Sequence, residues 1–492
     1  MKVLFVYSVE RGPSMRSPLP DFGQMQFGIS YISAVLKRAG VRTSLLVLTS
    51  ESEQASLSLA ADALRDYDPE IIAFTCVATQ FPLVDKVARL AKQSWPGKYL
   101  IVGGPHVSLN PEEPLRSVFD AVCLGEGEDA MLELVEQLQA GRQPDHISNL
   151  WLKRPDGSVQ RNGTRPVIAA LDALPFPDHE LWLPWIHGPE PGCPPIMVGR
   201  GCPFLCTYCS NHALRALAPG KYVRFRTPDS IVKEIRYVLE KFPCDSPSLG
   251  LLAETIGVYK QWVLDLCAAL QRLNRSLPQP ITFKTNLRVT ENALDSELFR
   301  ALAAANFRDI NIGLEAGSER VRKDILRRNY SNDQFLRAAQ LVREHGMALN
   351  VYNMIGIPGE TPADHLETVR LNRESRPNSS FTSIFFPYPG TELYRVCERR
   401  GLLPAPLDGR HERKQAALDL PEFPRRAVQR AYDLFDWRIH KGQWPLHVRI
   451  RKLVRHHLGK FKLTERLVVR ALPMWRQLAR LGLINRSFGR NN

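Results

Sequence analysis

The chain has 492 residues, too many for one ordinary hydrophobic core, so two to four domains are expected. Its 44% hydrophobic and 24% charged residues exclude a disordered or fibrous chain, and no run of about 18 apolar residues marks a spanning helix. The net charge of +14 is concentrated at one end: residues 438–492 hold fourteen Lys and Arg against the single acid Glu465, so the body of the chain is close to neutral.

The N-terminus reads MKVLFVYS, a buried-strand pattern without the apolar core and cleavage site of a signal peptide, so a cytoplasmic, reducing compartment is the default expectation. A helix over 28–40 is closed by Gly40. Then come strand-like VRTSLLVL, a helix over 54–66, the strand EIIAFTCV, a helix over 82–94, the strand YLIVGG, the short strand DAVCLG and a helix over 127–139. Strands alternating with helices at this spacing predict a parallel, doubly wound sheet over residues 1–140. Such sheets bind ligands beyond the carboxyl ends of their strands, which here carry Thr75, Gly103-Gly104-Pro105-His106 and Gly125-Glu126-Gly127-Glu128. Residues 141–192 read as a hairpin turning at Asp156-Gly157, followed by a Pro-rich linker. From Ile196 a second alternation begins: the strand IMVGR, then strands SLGLLA, ITFKTNL, DINIGLE, ALNVYNMIGIP and a last one over 380–387, with helices between them. Six such units over 193–400 suggest a partial (β/α)6 barrel. Beyond residue 400 the pattern is helical and increasingly basic.

Of nine cysteines, Cys76, Cys123, Cys193, Cys244, Cys267 and Cys397 are scattered, while Cys202, Cys206 and Cys209 form a C-x3-C-x2-C loop directly after a strand. In a reducing compartment a cluster of thiols points to metal rather than disulfides. Iron–sulfur clusters usually take four thiolates, so three leave one iron open to another ligand. His212 follows at C-x2-H, and the alternative is a closed zinc site on three Cys and one His, which with the basic tail would describe a nucleic-acid-binding protein. A zinc module is a small unit, whereas this loop opens a long α/β series.

The loop Gly201-Cys202-Pro203-Phe204-Leu205-Cys206-Thr207-Tyr208-Cys209 resembles the signature of the radical S-adenosylmethionine (SAM) superfamily, with Tyr208 at its aromatic position. The resemblance implies a [4Fe–4S] cluster on the three cysteines. SAM would chelate the fourth iron and, on receiving one electron, yield a 5′-deoxyadenosyl radical. A flavodoxin or ferredoxin would supply that electron. Further segments fit in chain order. Glu315 in Gly313-Leu314-Glu315-Ala316-Gly317 resembles the family's fourth-strand SAM contact. Gly356, Pro358 and Gly359 in Asn353-Met354-Ile355-Gly356-Ile357-Pro358-Gly359-Glu360-Thr361 resemble its adenine-side loop, where backbone without a Cβ can lie flat on a base. Pro387-Tyr388-Pro389-Gly390-Thr391 resembles its sixth-strand element, and Arg288 is placed to pair with the SAM carboxylate. At the second strand the cobalamin-dependent branch often has adjacent acids; here Glu254 stands next to Ala253, and Glu254 is carried over alone.

The N-terminal pattern resembles the cobalamin-binding (B12-binding) domain that precedes the barrel in the largest branch of this family. Thr75, Gly103, Gly104, His106, Gly125 and Glu126 carry that resemblance. No D-x-H-x-x-G motif is present, so His106 is expected as a loop residue near the corrin edge and not as a cobalt ligand. The basic tail, WRIHKGQWPLHVRIRKLVRHHLGKFKLTERLVVR, is a candidate amphipathic helix for an anionic membrane surface, against the plainer reading of a helical domain over 401–492 with a solvated basic face. Together these readings describe a cobalamin-dependent radical SAM enzyme. The expected reaction is methylation of an unactivated carbon of a small molecule, lipid or peptide. The alternative within the family is a cyclisation, oxidation or rearrangement without methyl transfer. Nucleic acid is not expected as a partner.

Overall fold

A computed structural model of the chain describes residues 1–458, except 189–190, 244–246, 406 and 410–411. Cys244 and the basic tail from 459 onward lie outside the described residues. The chain divides into two compact units.

The first unit comprises Met1–Leu287, Asp295–Arg308 and Pro387–Glu412. It opens with β1 (Lys2–Val9), α1 (Phe27–Arg38), β2 (Arg42–Thr49), α2 (Glu53–Tyr67), β3 (Ile71–Thr75), α3 (Phe81–Ser94), β4 (Tyr99–Gly103), α4 (Pro105–Leu109), α5 (Glu112–Leu115), β5 (Ala121–Cys123) and α6 (Glu128–Gln139). Strands β1 to β5 are parallel in the order β2-β1-β3-β4-β5, the doubly wound arrangement expected from the sequence. Near-continuous apolar runs such as Val3–Val6 and Ile71–Phe74 are buried, as strands covered by helices on both faces require. The hairpin expected at Asp156-Gly157 forms as β6 (Leu150–Lys153) and β7 (Val159–Arg161), and it extends the same sheet, β6 antiparallel to β5 and β7 antiparallel to β6. Leu150 and Leu152 are buried there, and that apolar alternation carries the hairpin onto the sheet edge.

The expected strand IMVGR is two strands. β8 (Ile196–Met197) joins a parallel set, and β9 (Gly199–Arg200) turns away to pair antiparallel with β10 (Arg224–Phe225). The close ring of Phe225 needs Gly199: a Cβ there would stand 2.6 Å from it. Between β9 and β10 lie the cysteine loop and α7 (Asn211–Arg215). Then follow α8 (Pro228–Lys241), β11 (Ser248–Leu252), α9 (Lys260–Ser276), β12 (Thr282–Leu287) and α10 (Ser296–Ala304), with β8, β11 and β12 parallel.

The second unit contains most of β13 (Phe307–Glu315), then α11 (Asn332–Glu344), β14 (Ala348–Ile355), α12 (Pro362–Ser375) and β15 (Ser379–Ile384), its three strands parallel. The short α13 (Glu392–Arg399) belongs to the first unit, while α14 (Arg425–Asp433), α15 (Phe435–Ile439) and α16 (Leu446–Leu458) pack on the second. Val428, Ala431, Phe435 and Ile439 bury themselves there against Ile355, Val369 and Ile384. No helix among the described residues is long and apolar enough to cross a membrane.

Candidate cluster and cofactor site

The cysteine loop is set by backbone geometry. Gly201 holds φ +87°, and a Cβ there would collide with the carbonyl of Tyr222, so the residue before Cys202 must be glycine. The loop then turns tightly, the Cys209 N–H donating to the Cys206 carbonyl at 3.2 Å. Cys206 is buried, Cys202 and Cys209 are half-buried, and all three are free thiols. Asn211 donates to the Cys209 sulfur at 3.6 Å and accepts from the Tyr222 hydroxyl at 2.9 Å. Tyr208 is half-buried in the same loop, and the Leu393 N–H donates to the Thr207 carbonyl at 2.9 Å.

Beside this loop, at the carboxyl ends of β1, β3, β4 and β5, lies a cavity of about 420 Å³. This is the switch point of the doubly wound sheet, where such folds take ligands. Thr75, Gly103, Gly104, Gly125 and Glu126 all line it. Gly104 holds φ +104°, and a Cβ there would lie 2.7 Å from the Cys76 carbonyl. Gly104 is thus fixed by its close approach to Cys76, and Gly103, Gly104 and Gly125 contribute backbone and no side chain to the cavity wall. His106 does not line it. Its ring packs 5.4 Å from that of Phe81 and its Nε2 pairs with Glu113 at 2.8 Å. The helical turn of α4 puts Pro105 and Ser108, not His106, on the cavity side.

Arg200, Gly201, Tyr222, Arg224 and Glu254 line the same cavity from the cysteine side. Glu126 accepts from Arg224 at 2.9 and 3.0 Å, from Arg200 at 3.0 Å and from the Ile168 N–H at 2.8 Å. Arg200 also reaches Glu128 at 2.7 Å. Burial alone would raise the Glu126 carboxyl, but Arg224, Arg200 and the Ile168 amide outweigh it and hold the group below its usual range. Glu254 behaves oppositely. It opens into the cavity but is enclosed by protein, and this desolvation raises its carboxyl, offset in part by Arg200, Arg224 and the Gly201 amide. Asn149 pins the turn that carries Glu126, donating to the carbonyls of Leu124 at 2.7 Å and Glu126 at 3.1 Å.

Sequence reasoning missed Arg200, Arg224, Asn149 and the wall formed by 165–168. An arginine immediately before the Gly-Cys pair was the one local signal available.

In the second unit, Glu315 ends β13 at φ +63°, where the ladder with β14 shifts register between Gly313 and Glu315. A non-glycine residue in this conformation costs roughly 1 kcal/mol or more, a strain that clusters at functional positions. Gly313 makes room for it, since a Cβ there would meet the Glu315 carboxylate. Arg328 approaches that carboxylate at 3.7 Å. Gly356 (φ +76°) and Gly359 (φ +87°) frame a loop containing Pro358, and a Cβ at Gly356 would come within 2.8 Å of Val428. The buried Glu360 fastens the loop by accepting from the Gly356 and Ile357 amides at 2.6 and 3.1 Å. Arg288 is buried.

Among the described residues no three His, Cys, Asp or Glu converge as a single metal ion requires. A closed zinc site would gather its donors on one ion, whereas a cluster spreads three thiolates over three irons. The loop's donor set, three thiols with an amide donor on one sulfur, fits the cluster.

A glycine-cradled cavity at a sheet switch point, joined to a three-cysteine loop that opens a βα series, defines an iron–sulfur enzyme with a second cofactor domain. The family profile of the radical SAM superfamily matches residues 196–371, and that of the B12 binding domain matches 24–135. An uncharacterized methyltransferase of Pyrococcus horikoshii is 25% identical over 380 residues, covering 76% of this chain and 79% of that one. The anaerobic magnesium-protoporphyrin IX monomethyl ester cyclase of Rubrivivax gelatinosus is 24% identical over 375 residues, 75% of this chain and 65% of the relative. The cobalamin-dependent SAM radical enzyme OxsB, solved with aqua-cobalamin and SAM bound, shares the fold at a TM-score of 0.65 and 15% identity, covering 96% of this chain and 75% of that one. The chain belongs to the radical SAM superfamily, in the branch with a cobalamin-binding domain ahead of the radical SAM domain. It is a cobalamin-dependent radical SAM enzyme, and the zinc-bound nucleic-acid alternative falls with that assignment.

Proposed function

We propose that this enzyme methylates an unactivated carbon of a small organic substrate. The observation that carries the proposal is the single cavity: glycines of the sheet ends face it from one side, Gly201 and Glu254 from the other. A methyl donor there would be walled in with the groups next to the cluster loop. Cys202, Cys206 and Cys209 would hold the [4Fe–4S] cluster. Glu254, Arg288, Glu315 and the backbone of Gly356, Pro358 and Gly359 would bind SAM, with Tyr208 beside it, and Thr75, Gly103, Gly104, Gly125 and Glu126 would bound the cobalamin. When bound, these cofactors supply hydrogen abstraction from a carbon that no side chain can deprotonate, and methyl donation to it. The chain's own residues hold, orient and exclude water. Glu254, open to the cavity, would accept a hydrogen bond from an ammonium group there. The Arg200/Arg224–Glu126/Glu128 lattice keeps the cavity wall from collapsing.

The test is anaerobic incubation of the iron-loaded, cobalamin-loaded protein with methyl-labelled SAM, a low-potential flavodoxin or ferredoxin, and candidate substrates. Labelled product from the intact enzyme, and none after all three loop cysteines are changed to alanine, is the expected result. A product lacking the label would favour cyclisation without methyl transfer, the second reading, which the cyclase among the relatives supports.

The same protein is proposed to sit at an anionic membrane surface. Leu446, Ile450 and Val454 repeat every fourth residue on α16 and are 59, 46 and 48% exposed. In the same unit Arg373, Arg376, Lys441 and Arg451 line a groove of about 1550 Å³, where Arg370 is paired with Glu374 at 3.0 Å. An apolar stripe flanked by cations matches an acidic lipid interface. Co-sedimentation with phosphatidylglycerol vesicles but not phosphatidylcholine vesicles, lost in Ile450→Asp, is expected; equal recovery with both sinks the idea.

A further inference from the structure

A second cavity, of about 440 Å³, lies within the second unit where β14 and β15 meet α14, α15 and α16. Tyr352 and Phe381 are opposite residues of the two strands, and their rings stack 5.1 Å apart at 21°. Large aromatics on a sheet are ordinarily covered; these are 40 and 46% exposed and form the cavity floor. Trp437 and Trp444 stand among the facing walls. Tyr352 pairs with Gly313 and its neighbour Asn353 with Glu315, which places the aromatic floor on the strand next to that carboxylate; burial raises the Tyr352 phenol and Glu315 adds to that rise.

The nitrogen donors of the wall are not equivalent. Lys452 is matched by Asp436 and His456 by Asp433, each at 3.1 Å. Arg449 is only 8% exposed, and among the described residues no carboxylate pairs with it. It donates to the Trp437 carbonyl at 3.0 Å and lies over the Trp437 ring, 3.8 Å from its centroid, while its Nε is buried without a partner. A buried guanidinium that no carboxylate offsets is costly until an anion meets it.

We propose that this cavity receives the substrate, and that the substrate is a small molecule with a flat apolar body and a carboxylate or phosphate taken by Arg449. The proposal rests on reading the chain as a cobalamin-dependent radical SAM enzyme and deepens it. Stacking on Tyr352 and Phe381 holds the body; the planar fork of Arg449 holds the anion. The volume suits a small molecule and excludes a folded protein or a nucleic-acid helix.

The test uses full-length, anaerobically reconstituted protein and two fluorescent probes of one shape, 1-pyrenebutyrate and neutral 1-pyrenebutanol. The butyrate is expected to bind about tenfold tighter, as a charge-assisted hydrogen bond provides. Arg449→Gln is expected to abolish that preference without changing the alcohol's affinity. Ser383→Trp, which fills the cavity from an edge-strand position, is expected to weaken both probes about tenfold. Equal binding of the two probes to the parent protein overturns the proposal, as does binding indifferent to Ser383→Trp. Iron content and 5′-deoxyadenosine release are read separately. Their loss with probe behaviour intact counts against the proposed chemistry, and their persistence with failed probe behaviour counts against the cavity alone.

Discussion

The cavity wall of the first unit and the glycine loop of the second are each held by a glutamate, half-buried in the first and fully buried in the second, and the two work by opposite electrostatics. Glu126 faces two arginines, so it is charged and held below its usual range. Glu360 is fully buried and grips two backbone amides of its own loop; burial raises its carboxyl to about 8, an effect that those hydrogen bonds only partly offset. The lattice needs partners from distant parts of the chain, Arg224 lying 98 residues from Glu126. The loop fastening spans four residues. A wall built from separate elements therefore needs charge to bind it, while a local turn is held by neutral hydrogen bonding.

The strongest way to break this contrast is Arg224→Met. It leaves Glu126 enclosed with Arg200 alone, and a loss of about 3–5 kcal/mol is expected from removing one partner of such a pair. Thermal melting of Arg224→Met, with partial recovery in the Arg224→Met, Glu126→Gln double variant, would establish coupling; a loss under about 1 kcal/mol would reduce the lattice to surface decoration.

The second test uses pH. The Glu360 carboxyl is raised from 4.5 to about 8 on folding, so between those values the unfolded chain releases a proton that the folded chain keeps. Its contribution is fully present below 4.5 and is lost as pH climbs toward 8. Glu126 runs the other way: its contribution is present above the usual carboxylate value and disappears on acidification. Glu360→Gln, which cannot ionise, is expected to remove about 3 kcal/mol of the decline between pH 5 and 7.5, read by urea melts. A parent and variant with parallel slopes would show that Glu360 is not neutral in the fold.

The smallest effect is expected at Asp364, which caps α12 beside the same loop. It accepts from Ser318 at 2.6 Å, Arg320 at 2.6 Å and the Thr361 amide at 2.9 Å. Burial opposes its ionisation, but Ser318, Thr361 and Arg320 hold it at about 2. Asp364→Asn is expected to cost about 1 kcal/mol at pH 7 and to remove the stability lost as pH falls from about 4 toward 2. An unchanged acid limb of the melting curve would refute this role.

The doubly wound order, the cysteine loop and the glycine turns were legible because each is written in a few adjacent residues. Val3–Val6 reads as a covered strand, and the C-x3-C-x2-C spacing of Cys202, Cys206 and Cys209 reads as a metal loop. The hairpin over 150–161 is legible from its Asp156-Gly157 turn, but its place on the sheet edge is not, because Leu150 and Leu152 make too short an alternation to announce a sheet partner. IMVGR was read as one strand because nothing within it reveals that Phe225 presses on Gly199. His106 stood in the expected cofactor motif, but α4 turns its ring onto Phe81.

By itself, the sequence determined the succession of strands and helices, the three thiols and the backbone turns, since these depend on residue type and spacing over a turn or a strand. Only the tertiary structure decided which charges meet, as Arg200 and Arg224 do at Glu126, and which aromatic faces stay open, as Tyr352 and Phe381 do. Coulomb and packing energies fall with distance in space and are blind to distance along the chain. Contacts 98 residues apart therefore leave no local trace until the chain is folded.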